Sequence, residues 1–421
     1  MTMPLRALAL AALWAAISPA IAADEAPSGE LRLRWDDRAA ASQGPLAEAH
    51  RLQPSLAPPA PSAAMAEAEL RHTLHAKWGD QGVAITGNLL AWHERPSGAS
   101  SSSHARINEL HLGTELGAWS LSAGKKVLGW DVGYGFRPND VVQQETRRTQ
   151  LSVTPEGRPL IEVEHFGSDN AATLVWVNHH HLNDASTSWG AEESALAGRW
   201  YQRSGAVDWH AFARIGEHTR ASLGGAVAWV AGDEIELHAS VRALQRHDGW
   251  RIASTAASAP VASKPWGLQT LGSAGQWLLG FNWTGAQQQG LMVEAWHDGT
   301  ALPDAAWDAW LQRNRGLRAS PAPAPAVAGN LAWQATPFDS ASLRRDNLFI
   351  RASWQPGPWL WTLDALVHPA DHGRMLTAGL QWQGDRIKLN ASWRLLGGPA
   401  SSVMAQLPQG RSALLAATWA F

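Results

Sequence analysis

The sequence contains no cysteine among its 421 residues, which excludes disulfide frameworks, thiolate metal sites, iron–sulfur clusters and cysteine nucleophiles. Charged residues make up only 17% of the chain, no run of like charges occurs, and the formal net charge is −3. A nucleic-acid-binding protein needs a basic stripe to neutralise phosphates, so this class is not expected. Beyond the amino terminus, no apolar run is long enough to form a membrane-spanning helix.

Tryptophan is the unusually frequent residue. It occurs 25 times, against seven phenylalanines and two tyrosines. The indole ring combines an apolar body with a polar N–H group and therefore suits a membrane–water interface. The composition favours a chain with many segments that meet such an interface.

The amino terminus is typical of a secretory signal. Arg6 supplies a positive charge, residues 8–17 are apolar, and Ala20-Ile21-Ala22 forms a small-residue cleavage site. We expect residues 1–22 to be removed on export and residues 23–421 to form the mature domain. An exported chain without a spanning helix is either a soluble protein or a membrane β-barrel.

Segments of about ten residues with alternating polarity dominate the mature chain, as expected for strands that cross a bilayer. In residues 411–421 the apolar face comprises Ala413, Leu415, Ala417, Trp419 and Phe421. A soluble β-sandwich also alternates, but tryptophans at strand ends favour a barrel. We predict eighteen strands, at 29–35, 70–78, 83–93, 106–116, 118–127, 159–166, 172–181, 194–202, 206–215, 221–230, 234–245, 275–284, 290–298, 347–355, 359–367, 375–383, 386–396 and 411–421.

The connections between these strands alternate between short turns and longer polar loops, the arrangement of outer-membrane barrels. An even number of strands places both termini on the periplasmic side. Three segments are long. Residues 36–69 are rich in Ala and Pro. They form a loop or, if residues 29–35 are not a strand, a periplasmic lead segment that precedes the barrel. Residues 128–158 and 299–346 are long loops.

The last strand, which alternates up to Phe421, resembles the carboxyl-terminal signature of Gram-negative outer-membrane barrels. Residues 124–148 are similar to a segment of proteobacterial outer-membrane barrels of the porin and polysaccharide-export type. The predicted fold is all-β: a transmembrane antiparallel up-and-down barrel of about 18 strands (16–18). The resemblance implies an outer-membrane location, contact with outer-membrane lipids and lipopolysaccharide, and recognition of the last strand by the barrel-assembly machinery.

A barrel of this size encloses an aqueous lumen. We predict that the following side chains line it: Arg199, Asp208, Arg214, Glu236, Arg242, Glu294, Arg351, Asp364, Lys388 and Arg394. The complete predicted inner face has slightly more basic than acidic residues. The charges either pair across the wall and hydrate the interior or form a filter with weak anion preference. A register shift of one residue would exchange the inward and outward faces of any strand.

The loop at 128–158 combines glycines, aromatic residues and balanced charges, which favours insertion into the lumen over an ordinary extracellular loop. The predicted constriction residues are Trp130, Asp131, Tyr134, Phe136, Arg137, Asp140, Arg147 and Arg148. The glycine spacing is not a dinucleotide site, because no βαβ unit follows.

The loop at 299–346 contains a predicted amphipathic helix that starts at Asp304 and has Trp307, Trp310 and Leu311 on one side. Residues 320–326 alternate Pro and Ala and are predicted to be extended. The helix could cap the pore or contact a partner, but packing against the barrel rim is favoured.

Two patterns could indicate chemistry. His238 and Ser240 resemble the His-x-Ser pair of outer-membrane lipid hydrolases, but they are predicted to face the lumen and no nearby asparagine orients the histidine. His179, His180 and His181 with Asp184 could bind a metal, yet consecutive strand residues point to opposite faces. We therefore expect no enzyme, no cofactor and no metal.

The sequence favours a channel for hydrophilic solutes, porin-like or for export, narrowed by an inserted loop. The alternative is a plugged, non-conducting barrel that acts as a surface adhesin or assembly partner, and a barrel lipid hydrolase ranks third. The sequence does not identify the solute.

Overall fold

The computed structural model describes residues 28–57, 63–79, 81–96, 100–144, 155–181, 190–253, 261 and 265–421. Eighteen strands form one antiparallel sheet in which each strand pairs with the next along the chain. They are β1 (Ser28–Ala40), β2 (Ala63–Trp78), β3 (Gln81–Pro96), β4 (Ser102–Leu116), β5 (Trp119–Lys126), β6 (Arg158–Phe166), β7 (Asn170–Val177), β8 (Ala195–Ser204), β9 (Val207–Gly216), β10 (Arg220–Val230), β11 (Ile235–Leu244), β14 (Ala274–Thr284), β15 (Gln289–Asp298), β16 (Asp346–Trp354), β17 (Trp359–Val367), β18 (Arg374–Gln383), β19 (Ile387–Gly397) and β20 (Gln409–Ala420).

The sheet closes on itself, because β1 pairs with β20 from Glu30 opposite Ala420 onwards. The chain end completes this seam: Phe421 and Gly29 exchange two backbone hydrogen bonds of 2.9 and 3.0 Å. The Phe421 ring occupies the space that a Cβ at position 29 would need. The predicted closed barrel of 18 strands is therefore confirmed.

The outer face of the barrel is apolar and exposed. Residues such as Leu174, Leu223, Leu279 and Leu363 point away from the interior and are more than half exposed. A ring of outward tryptophans marks the end that carries the short turns: Trp78, Trp119, Trp200, Trp209, Trp229, Trp283, Trp354, Trp359, Trp382 and Trp419. This girdle matches the preference of indole for a membrane interface.

The opposite end carries the long loops and their helices. These are α1 (Pro45–Leu52), α2 (Asp304–Arg318) and α3 (Ala324–Trp333). None of the helices in the described part of the chain is long and apolar enough to cross a bilayer. A separate hairpin, β12 (His247–Ile252) and β13 (Trp266–Leu271), lies between β11 and β14.

The prediction that residues 320–326 are extended is wrong, because α3 begins at Ala324. Proline is tolerated in the first turn of a helix, where its missing N–H has no intrahelical partner. The apolar side of α3 then packs on α1 in a cluster of buried residues: Ala49, Ala57, Leu317, Val327, Ala328 and Leu331.

Three further predicted boundaries differ from the structure. β1 continues to Ala40 and β2 starts at Ala63, so the connection is shorter than residues 36–69. The connection between the predicted strands 234–245 and 275–284 contains the β12–β13 hairpin. The strand predicted at 172–181 ends at Val177, after which the three histidines form a 3-10 turn.

Candidate functional site

The ten predicted pore-lining residues all lie on the inner face of the barrel wall. Each alternates with outward apolar neighbours, as Lys388 does between Ile387 and Leu389, which are nearly half exposed. In a closed barrel, successive side chains point to opposite sides of the wall. The inner face is therefore polar where the outer face is apolar.

Most of these charges have partners within the wall. Arg351 and Asp364 form an ion pair of 3.5 Å across β16 and β17. Arg394 donates to Thr377, and Glu236 accepts from Asn282. These contacts hold the charged groups at fixed positions on the inner wall.

On β8 and β9, Arg199 lies over the Tyr201 ring at 5.8 Å, and the Tyr201 hydroxyl donates to Asp208 over 2.8 Å. Further along the same wall, Arg214 donates to Glu193 over 2.6 Å, and both are almost fully buried. Burial alone would raise the pKa of Glu193, but Arg214, Thr219 and the backbone around them hold it below its usual value.

The first two strands contribute a second charge network, whose acidic residues the sequence prediction missed. Arg32 contacts Glu67 at 3.1 Å, Arg34 and Arg38 share Asp36, and Asn88 donates to Glu69 over 2.7 Å. The sequence contains a pattern that could have predicted this part of β2, because Met65, Glu67 and Glu69 alternate with alanines. Arg32 and Arg34 already belong to the predicted inner face, so the newly found residues are Asp36, Glu67, Glu69 and Arg38. They add three acidic residues and one basic residue, which cancels most of the predicted positive excess.

Residues 127–144, which we call the docked segment, run along the inner wall. Trp130, Val141 and Val142 are almost completely buried. They pack on inward side chains of β6 to β10: Leu160, Val175, Val177, Ala195, Ala197, Phe212 and Ala226. An apolar contact therefore attaches the segment to one side of the barrel.

Glu294 is the main polar anchor of the docked segment. Its carboxylate is fully buried and accepts hydrogen bonds from the backbone N–H groups of Tyr134 and Gly135, over 2.8 and 2.7 Å. His238 lies 2.9 Å from the same carboxylate. Since Gly135 has no Cβ, its backbone approaches Glu294 and Trp296 closely.

A second polar contact joins the segment to β11. The Ser240 hydroxyl donates to Asp131 over 2.8 Å and accepts from the Asn139 amide over 2.7 Å. Arg242 donates to the Pro138 carbonyl over 3.1 Å. Burial raises the pKa of the Asp131 carboxyl, although its backbone and Ser240 hydrogen bonds oppose the shift.

The remaining constriction residues divide between the wall and the interior. Phe136 stacks on Trp296 with ring centroids 5.7 Å apart. Arg137 donates to the Gly133 carbonyl over 2.9 Å, and Asp140 accepts from the Trp130 backbone. Arg147 and Arg148 lie outside the described residues.

The connection between β15 and β16 also packs into the barrel. Trp307 and Trp310 on α2 are buried, and their indole N–H groups donate to the carbonyls of Leu343 and Gln334. Their cluster includes inward wall residues of β14 to β18: Leu278, Trp296, Phe349, Leu366 and Met375. The predicted helix therefore packs by its tryptophan side against its own barrel.

The wall opposite the docked segment stays accessible. The Arg71 side chain on β2 points inward and is 56% exposed, and Arg32 is 28% exposed. On the facing side, Tyr134 is 39% exposed. Arg34, two residues from Arg32 on the same strand, is by contrast buried.

The possible chemical sites do not assemble. His238 is bonded to Glu294, whereas Ser240 is bonded to Asp131 and Asn139, so the pair does not form a nucleophile and its base. Among the described residues, no group of three or more histidines and carboxylates is arranged to hold a metal. Asp184 lies outside the described residues.

No protein-family model and no curated protein matches this sequence. Solved structures do match over nearly the whole chain. OccAB1 of Acinetobacter baumannii is 10% identical, with a TM-score of 0.57 over 94% of this chain and 96% of that one. OccAB2 of the same organism is 10% identical, with a TM-score of 0.54 over 94% and 98%. OccK5 (OpdH) of Pseudomonas aeruginosa is 9% identical, with a TM-score of 0.52 over 94% and 97%. At this level of identity, the likeness establishes that the chain shares their barrel fold.

Proposed function

We propose that this protein is a channel of the Gram-negative outer membrane that passes small hydrophilic solutes. Exported by a cleaved signal peptide, it would insert with the tryptophan girdle at the periplasmic interface and the long loops outside. The apolar outer face suits hydrocarbon, and the charged inner face suits water.

The observation that carries the proposal is the one-sided position of the docked segment. It is anchored to β6–β11 and β15, while on the inner face of β1 and β2 Arg71 is exposed and Arg32 is partly exposed. A segment held against one wall narrows a passage without closing it. A mixed set of acidic and basic side chains then favours weak selectivity between anions and cations.

The alternative is a plugged barrel that serves as a surface adhesin or assembly partner. Its support is the amount of loop packed at the outer end, where α2 belongs to the same buried cluster as Trp296, on which Phe136 of the docked segment stacks. A lipid hydrolase has no comparable support, because His238 and Ser240 have separate partners.

Planar-bilayer recording separates the channel from the plug. The purified protein should give discrete single-channel steps in simple salt. The Glu294→Ala variant removes the acceptor of two buried N–H groups, each worth about 1–3 kcal/mol when left unpaired. We expect larger and noisier steps, because the segment leaves the wall at least tenfold more often.

Glu164→Gln is the matched control, since Glu164 is an inward carboxylate on β6 that accepts a hydrogen bond from the wall residue Thr173. It should keep the noise of the wild type. A clean preparation that gives no steps with either the wild type or Glu294→Ala would reject the channel and favour the plug.

A further inference from the structure

A row of polar side chains crosses the inner wall near the loop end of five neighbouring strands, β9, β10, β11, β14 and β15. By register, Arg214 lies opposite Ser222. Gln276 lies opposite Arg242 on one side and opposite Asp298 on the other. The two parts are joined, because Arg242 donates to the Ser222 hydroxyl over 2.9 Å. These five residues, which we call the polar row, have arginines towards one end and a carboxylate at the other.

A cavity of about 190 Å³ lies between the polar row and the docked segment. Phe136, Pro138 and Asp140 line it from the segment. Arg220 and Arg246 line it at the loop end, where both are exposed. Pockets for drug-sized molecules measure about 300–1,000 Å³, so this cavity is suited to a smaller solute.

Both ends of the polar row carry buried polar atoms that have no hydrogen-bond partner among the described residues. Arg214 is 3% exposed, and its Nη1 donates to Glu193 and Thr219, but its Nε and Nη2 are unpaired. Asp298 is 1% exposed, and its Oδ1 accepts from Gln276 and Thr300, but its Oδ2 is unpaired. Because buried polar groups normally have partners, the row is able to donate to one part of a ligand and to accept from another.

The charges around the cavity leave a positive excess. The charged lining residues are Arg137, Arg214, Arg220, Arg242 and Arg246, with Asp140, Asp248 and Asp298. Within the described part of the chain, Arg214 is paired with Glu193 and Asp248 with His218, whereas Arg220, Arg242 and Arg246 form no ion pair. Arg137 and Asp140 carry one charge of each sign, so Asp298 is left against three arginines. The excess is therefore two positive charges.

A phosphate monoester matches this excess. It carries a charge of about −1.5 to −2 near neutral pH, whereas a single carboxylate carries one negative charge. Guanidinium groups also match the geometry of phosphate oxygens through their paired N–H donors. At the other end of the row, the unpaired Oδ2 of Asp298 and Oε1 of Gln276 are suited to accept from hydroxyl groups.

We propose that this cavity binds a small phosphate monoester that carries hydroxyl groups, of the sugar phosphate type. The phosphate would contact Arg214 and Arg242, with the exposed Arg220 and Arg246 at the entrance. The hydroxyl groups would donate to Asp298 and Gln276. The inference rests on the proposed channel function, because it names a solute class for that channel, but binding does not require the lumen to conduct.

Isothermal titration calorimetry on the full-length protein in detergent tests the proposal, with glucose 6-phosphate as the probe. The Arg220→Gln/Arg246→Gln double variant removes two exposed arginines at the entrance. Because exposed charge pairs contribute modestly, we expect binding to weaken by about tenfold.

Arg203→Gln/Arg386→Gln is the matched control, since it changes the net charge equally at two exposed arginines of the short-turn end. This variant should bind as the wild type does. Equal binding of glucose 6-phosphate by the wild type and the Arg220→Gln/Arg246→Gln variant would overturn the proposal. Binding of glucose or of glucuronate as tight as that of glucose 6-phosphate would overturn the phosphate assignment.

Asp298→Asn tests the hydroxyl end of the site. Asparagine keeps the Oδ1 acceptor for Thr300 but replaces the unpaired Oδ2 with an amide group. The ratio of the affinity for glucose 6-phosphate to that for inorganic phosphate should fall by about tenfold, because a hydrogen bond to a charged acceptor is lost. An unchanged ratio would overturn the assignment of hydroxyl groups to Asp298.

Planar-bilayer recording on the same samples separates the two proposals. Channel steps from a protein that does not bind glucose 6-phosphate would overturn this inference alone. Binding by a protein that gives no steps would support this inference and reject the channel.

Discussion

Single glycines on the inner wall leave the space that the docked segment and its anchors occupy. The Asn139 side chain fills the position where a Cβ of Gly224 would stand, and His238 fills the corresponding position at Gly280. At both places the wall lacks a side chain where a polar partner of the segment approaches. The fit is local, because Gly225, the next residue of β10, faces outward and has ordinary space around it.

Gly224→Ala should displace Asn139 and weaken its hydrogen bond to Ser240. We expect an increase in single-channel noise and in mean conductance, because a methyl group cannot share the position of the amide. Gly225→Ala provides the control, since its Cβ would meet only the His210 carbonyl at 3.4 Å. Identical recordings from the two variants would show that the Asn139 contact does not hold the segment.

The pKa of Asp131 predicts a pH dependence of docking. Burial raises this pKa in the docked state above the ordinary value of 3.8, so the protonated form favours docking. This contribution is fully present below pH 3.8 and is lost as the pH rises through the raised pKa. Channel noise should therefore decrease on acidification across that window.

The Asp131→Asn variant isolates this effect. Asparagine keeps an acceptor oxygen for the segment but does not titrate in this range. The difference in noise between neutral and acidic pH should therefore be smaller in Asp131→Asn than in the wild type. An equal pH response in both proteins would assign the titration to other groups.

At the scale of elements, polarity alternation was enough to place all eighteen barrel strands, because one face of each strand is apolar throughout. Polarity alternation did not predict the ends of β1 and β2 at the first connection, because the sequence there is rich in alanine. Asp36 and Glu67 lie in those parts of the strands and were therefore not predicted as inward residues. It also missed α3, whose prolines suggested an extended chain. Helices of this kind depend on tertiary packing more than on local sequence.

The candidate site could also be predicted only in part from the sequence. Inward charges follow from the strand register, so the position of the ten predicted residues on the inner face could be identified from the sequence. The partner of a loop backbone cannot be identified in this way: Glu294 was recognisable as inward, but not as the acceptor for Tyr134 and Gly135, about 160 residues away. Contacts of this range depend on the closed fold.

The helix α2 offers a test of the packed outer end. Trp307→Ala removes a fully buried indole, a change that costs about 3–5 kcal/mol in a protein core. Because the barrel strands keep their own hydrogen bonds, we expect faster proteolysis within 299–345 and an unchanged strand signal in circular dichroism. Gln312→Ala, at an exposed position of the same helix, should be cleaved at the wild-type rate. Equal cleavage of both variants would contradict the packing described for Trp307.

At the scale of the whole molecule, two inserted segments approach the interior from neighbouring parts of the wall. They meet where Phe136 stacks on Trp296, and α2 belongs to the same apolar cluster. Within the described residues, β1 and β2 contribute no side chain to this cluster, whereas β17 and β18 contribute Leu366 and Met375. The molecule is thus asymmetric, with one side of the interior packed and the other lined by charges.

The seam between β20 and β1 lies on the charged side and also carries a shallow apolar groove on the outer wall, lined in part by Trp35 and Leu415. Closure therefore has consequences on both faces: inside, it brings Arg34 and Asp36 near Arg394, and outside, it brings Trp35 beside Leu415. The register between β1 and β20 determines which residues lie on each face. A shift of one residue at this seam would place charges in hydrocarbon and leucines in water.

The most direct test of the account measures which side of the wall meets water. Because the chain has no cysteine, the single substitutions Ala391→Cys and Ser392→Cys give neighbouring thiols on β19 without background. We predict that a charged, membrane-impermeant thiol reagent labels the inward position 392 in reconstituted protein and reduces its conductance, while the outward position 391 stays unlabelled. Labelling at 391 with protection at 392, or labelling at 392 with no change in current, would contradict the hydrated conducting lumen.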